Sequence, residues 1–115
     1  MKKVLLGFVI LMSSLIVSAK EAQVNNIDDY FMYLPTEVHN NWTPYKANRD
    51  YEVVVQFKVY KNGNISSPFI VNSTNTNANE SVLNAVKQGA PYKRLPDNYD
   101  KKSVETQVVL KYIKN

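Results

Sequence analysis

The residues able to do chemistry are few and badly placed for it. His39 is the single histidine of the chain, set beside Asn40 with no cysteine anywhere and only scattered carboxylates. General acid–base work needs a partner group and a zinc site needs several ligands at short spacing, so His39 is read as solvated or locally hydrogen-bonded. Asp97 and Asp100 are near neighbours, but they flank Asn98-Tyr99 and are read as turn formers rather than an acid pair. The absence of cysteine removes thiol catalysis, iron–sulfur clusters and cysteine zinc sites. Three glycines are too few for a phosphate-cradling loop. These observations predict no catalytic residues, no cofactor, no metal and no small-molecule substrate, which leaves binding.

Aromatic residues are the other candidates. Tyr30, Tyr33, Trp42, Tyr51 and Phe57 fall at spacings that assign them to a core. Tyr45, Tyr60, Tyr92 and Tyr99 fall in loops or off the core face, where they either form a recognition surface or cover the ends of a sheet. Beyond Lys2-Lys3 at the start of the chain, basic residues are dispersed, with no run other than Lys93-Arg94 and Lys101-Lys102, so no nucleic-acid partner is expected. Four Asn-x-Ser/Thr triplets, at Asn41, Asn64, Asn72 and Asn79, are expected by chance in so asparagine-rich a chain.

The start of the chain has a different composition. Met1-Lys2-Lys3 is basic, residues 4–17 are largely apolar, and Val17-Ser18-Ala19 ends in small residues. That order is a secretory signal peptide over 1–19, with cleavage expected between Ala19 and Lys20. The 16 residues from 4 to 19 fall short of the ~20 that span a membrane. The alternative is an uncleaved inner-membrane anchor over 4–19, the one case in which membrane contact is expected. Removing 19 of the 115 residues leaves 96, and losing Lys2 and Lys3 leaves 12 basic against 10 acidic residues, a net charge of +2. Such a chain suits one modest domain, expected over 27–115 after a short polar lead-in at 20–26.

Within that domain, apolar residues at 30, 33, 34, 38 and 42 follow helical spacing behind Asp28 and Asp29, which favour a helix start. Pro35 predicts either a kink or two short pieces meeting at Leu34-Pro35. Residues 51–61 alternate with period two, so Tyr51, Val53, Val55, Phe57 and Val59 share one strand face. Asn62-Gly63 predicts a hairpin turn. The return strand is expected over 65–72, with Ile65, Ser67, Phe69 and Val71 on one face and Pro68 confining it to a sheet edge. Asn77 and Glu80 read as a capping pair for a helix bearing Val82, Leu83, Val86 and Ala90, ended by Gly89 and Pro91. Residues 91–96 form a stiff connection, and 103–113 a last strand with Val104, Thr106, Val108, Leu110 and Tyr112 inward.

In this order the residues resemble the C-terminal domain shared by TonB and TolA, nearer to TolA-like and stand-alone members. The resemblance rests on Val38 through Asn41-Trp42-Thr43-Pro44, on residues 53–61 running into Asn62-Gly63-Asn64-Ile65, and on Phe69-Ile70-Val71-Asn72-Ser73-Thr74. It continues through Glu80-Ser81-Val82-Leu83-Asn84-Ala85-Val86-Lys87, Ala90-Pro91-Tyr92 and Leu95-Pro96-Asp97-Asn98-Tyr99. The family often has Ser-Ser-Gly after the second strand, where this chain has Asn72-Ser73-Thr74. The resemblance implies an α+β fold of order α-β-β-α-β, a three-stranded antiparallel sheet with two helices on one face.

It also implies a periplasmic protein–protein binding module. Such a domain takes up an extended segment of an envelope or outer-membrane protein as an extra strand on its last strand. Glu105, Gln107, Val109, Lys111 and Ile113 are then the outward side chains that bias the choice of partner. Lys111 and Lys114 are also of the type that deters edge pairing. Residues 20–26 reach at most ~25 Å at ~3.5 Å per residue, and residues 1–19 hold no histidine to match the Ser/His pairing of TonB anchors. The expectation is therefore a binding module and not a complete energy transducer. The alternatives are an accessory subunit of an envelope transport, secretion or pilus assembly, and a short membrane-anchored TonB-like protein.

Overall fold

The computed structural model describes residues 24–115; the signal peptide expected over 1–19 and the cleavage expected between Ala19 and Lys20 lie outside them. The elements run α1 (Ile27–Asn40), β1 (Tyr51–Tyr60), β2 (Phe69–Ser73), α2 (Asn79–Gly89) and β3 (Ser103–Tyr112), with a 3-10 turn at Thr76–Ala78 before α2. The sheet is antiparallel in the order β2-β1-β3, and both helices pack on one of its faces. The fold is α+β with the expected order of elements. No helix among the described residues is long and apolar enough to cross a membrane.

β1 is the spine because its alternation is complete. Tyr51, Val53, Val55, Phe57 and Val59 are all buried, each worth roughly 1.5–3 kcal/mol when taken out of water. From β3, Val104, Val108 and Leu110 join them. From the helices come Tyr30, Leu34 and Val38 of α1 and Val82, Ala85 and Val86 of α2.

α1 runs unbroken through Pro35. A proline inside a helix costs about 3 kcal/mol, and the buried stripe of Tyr30, Leu34 and Val38 on both sides of it offsets that cost by holding both halves against the core. The two-piece alternative is therefore not adopted. Asn26 caps the helix by accepting from the Asp29 N–H, and Asn25 accepts at its carbonyl from the Asn98 side chain.

Two local expectations need correction. β2 begins only after Pro68, and a bulge at Val71 shifts its pairing with β1 between Val54 and Val55. The alternation is already broken before the bulge, between Ile65 and Phe69: Ile65 bridges the inward Val59 and Ile70 pairs with the inward Val55, so Ile65 and Ile70 face the core while Phe69 and Val71 face water. The start of α2 is set by Asn75, whose side chain accepts from the Asn77 N–H and caps the 3-10 turn. Asn77 itself caps nothing, because that extra turn moves the helix start to Asn79.

The connection after α2 is part of the core. Leu95, Pro96 and Tyr92 are buried, and Tyr92 stacks on Phe57 with ring centroids 6.0 Å apart. Its hydroxyl donates to the Val86 carbonyl at 2.7 Å, and its backbone N–H donates to the Gly63 carbonyl at 2.9 Å. Tyr92 is thus neither part of a recognition surface nor a cover for the sheet ends. Tyr30 reaches the same segment by donating to the Lys93 carbonyl.

Burial, then the neighbouring Tyr33, pushes the phenols of Tyr30 and Tyr92 well above their ordinary value of 10.0, and burial raises Tyr51 as well. A phenol raised in the folded state favours folding fully below pH 10 and loses that contribution as pH climbs toward its folded value. The urea midpoint is therefore expected to hold steady to about pH 9 and to fall steeply above 10. Tyr92→Phe should soften the fall, and a midpoint flat to pH 12 would contradict the account.

Candidate partner-binding edge

The sheet has two outer edges, and their chemistry differs. β2 offers five residues, follows Pro68 and carries the bulge at Val71. Each of these features discourages a further strand. β3 offers ten residues, pairs with β1 in one unbroken register from Tyr51–Tyr112 to Tyr60–Ser103, and contains neither proline nor glycine. In an antiparallel ladder every second residue turns its N–H and C=O away from its neighbour. On β3 these groups face a side where no strand lies among the described residues. The result is a regular hydrogen-bonding template ~33 Å long at about 3.3 Å per residue.

Side chains on the open face of the sheet flank that template. Glu105, Gln107, Val109 and Lys111 are exposed on β3, and Ile113, just past its end, is 64% exposed. Gln56 of β1 ties the first two together: it donates to a Glu105 carboxylate oxygen at 2.6 Å and accepts from the Gln107 amide at 2.8 Å. Lys111 lies 4.0 Å from the Glu52 carboxylate with 66% of its side chain exposed, an arrangement that adds little stability and leaves the ammonium open to a partner. Lys114 is held at the end of the strand, its N–H donating to the Asp50 carboxylate at 2.7 Å. The apolar surface continues across the sheet through the half-buried Val54 to the exposed Val71 and Phe69, which the expected face assignment of β2 had missed; Pro68 was the available signal.

Among the described residues, the other candidates are not gathered into one site. His39 sits in the last turn of α1, where its Nδ1–H donates to the Pro35 carbonyl at 2.7 Å and its ring meets Trp42 edge-on. Asp97 and Asp100 are both exposed around a turn closed by the Tyr99 N–H on the Pro96 carbonyl. Tyr45 and Tyr60 are exposed, whereas Tyr99 is half-buried against the core.

Comparison with known proteins bears on this arrangement. The sequence model of the family described as "TonB C terminal" matches residues 27–110. A search of curated proteins found no match. Two NMR solution structures of the Helicobacter pylori TonB C-terminal domain are similar in fold. One is 21% identical with a TM-score of 0.61, covering 85% of this chain and 91% of its own. The other is 20% identical with a TM-score of 0.56, covering 72% and 91%.

Proposed function

The chain belongs to the TonB C-terminal family, a family of protein-interaction modules, and from that premise we propose that it captures an extended segment of an envelope or outer-membrane protein on the outer edge of β3. The observation that carries this reading is the contrast between the two edges: ten regular residues on β3 against five bulged ones behind a proline on β2.

In this mechanism the segment lies beside β3 and its backbone exchanges hydrogen bonds with the outward N–H and C=O groups, which supplies affinity without regard to sequence. Selectivity comes from alternate side chains of the segment against Glu105, Gln107, Val109, Lys111 and Ile113. The chain supplies the binding surface and performs no chemical step. The compartment this reading requires is the periplasm, where TonB-like domains act, and the signal-like composition of residues 1–19 supports it.

A photo-crosslinking amino acid placed at 109 is expected to trap one envelope protein in intact cells through an extended stretch of its chain. The same group at 71, on the β2 edge, is expected to trap nothing specific. Equal trapping from both positions, or none from 109, overturns the reading.

A further inference from the structure

We infer that the outer edge of β3 selects segments whose open-face residues run acidic, β-branched, amide and basic at every second position, antiparallel to β3. This rests on the capture of a strand by β3 proposed above and names the chemistry of that strand.

The inference comes from what β3 already pairs with. On the open face its register sets Lys111 opposite Glu52, Val109 opposite Val54, Gln107 opposite Gln56 and Glu105 opposite Lys58. Each residue of β3 thus meets its chemical complement on β1: charge to opposite charge at both ends, valine to valine, amide to amide. Side chains on a sheet stand roughly perpendicular to it, so they reach a neighbour on either side. The strand that best completes the outer side therefore repeats the order found on β1. It places an acid beside Lys111 and a base beside Glu105, six residues apart on either strand.

The contacts already made leave room for this. Lys111 remains 66% exposed despite its contact with Glu52. Glu105 hydrogen-bonds to Gln56 through one carboxylate oxygen, although Lys58 stands directly opposite. A second copy of β3 satisfies the same end charges when paired antiparallel about Val108, because Glu105 then faces Lys111 of the other copy. That pairing sets Val109 against Gln107, so it is a poorer match than the segment described.

The test uses two nine-residue synthetic peptides with threonine at the intervening and terminal positions. One carries Glu, Val, Gln and Lys in that order at alternate sites, and the other carries the reverse order. Amide exchange on β3 reports strand addition, and titration reports affinity. The first peptide is expected to bind about tenfold more tightly than the second, with the preference shrinking in ~1 M salt. The exposed double variant Glu105→Lys with Lys111→Glu is expected to invert the preference. Equal protection by both peptides, no inversion in the variant, or self-association through β3 tighter than the first peptide each overturns this inference while strand capture stands. If neither peptide protects β3 and a trapped natural segment leaves it unprotected as well, strand capture itself fails.

Discussion

Replacing Gly63 with alanine is expected to destabilise the domain by at least about 3 kcal/mol, a large share of the 5–15 kcal/mol that holds a typical domain together. Gly63 has φ of 94°, a left-handed conformation that costs a side chain-bearing residue about 1–2 kcal/mol. The second reason is contact. A Cβ there would stand 2.1 Å from the Tyr92 backbone oxygen, and backbone cannot swing aside as a side-chain tip can. Making room separates the hairpin from the 90–98 connection and strains the bond from the Tyr92 N–H to the Gly63 carbonyl, itself 2.9 Å long. With urea sensitivities of about 1–3 kcal/mol per molar for small domains, the midpoint should fall by more than about 1 M. A shift under ~0.3 M would show that the hairpin and the connection do not meet as described.

The second large effect belongs to the other side of that contact. Tyr92→Ala is expected to cost about 3–5 kcal/mol, the range for emptying a buried aromatic site. The ring is 4% exposed, stacks on Phe57 and meets Tyr33 edge-on at 6.4 Å. Tyr92→Phe keeps the ring and removes the hydroxyl that satisfies the Val86 carbonyl near the end of α2, a loss of about 1–2 kcal/mol. Thermal melting separates the two, since 1 kcal/mol moves the midpoint by about 4–8 °C in a domain of this size. Alanine should lower Tm by about 12–40 °C and phenylalanine by about 4–16 °C, with the alanine shift at least about twice the other. Equal effects of the two substitutions would mean that the ring packs on nothing.

Tyr92 also marks where the sequence stops being informative. It stands in a proline-flanked connection, where nothing local says that its ring turns inward. The signal was non-local: Gly63 and Gly89 leave the space that its backbone and its ring occupy. β1 and β3 were readable because a period of two survives along all ten residues of each, and that alternation also placed Glu105, Gln107, Val109 and Lys111 on the open face. β2 was misread because the alternation breaks between Ile65 and Phe69, around Pro68, so the parity read from Ile65 does not carry into the strand. Asn77 was misread as a cap because Asn75 offers the same side chain two residues earlier and has a 3-10 turn to cap. Which strand forms the longer open edge cannot be read from alternation at all. It follows from the sheet order, which the family resemblance supplied before the structure displayed it.

These structural features matter for function because the template must be rigid before it binds. β1 fixes β3 along its whole length, and the helices load both strands from the opposite face. An incoming segment then loses conformational freedom while β3 loses little, which is the condition under which backbone pairing yields useful affinity.

Amide hydrogen exchange on the folded domain tests strand capture most directly, measured with and without the segment that a crosslinker at 109 traps. The account predicts that alternate amides of β3, those turned away from β1, slow at least about tenfold on addition of the segment while the amides of β2 do not change. Binding of that segment with β3 exchange unaltered, or with protection on β2 instead, would contradict it.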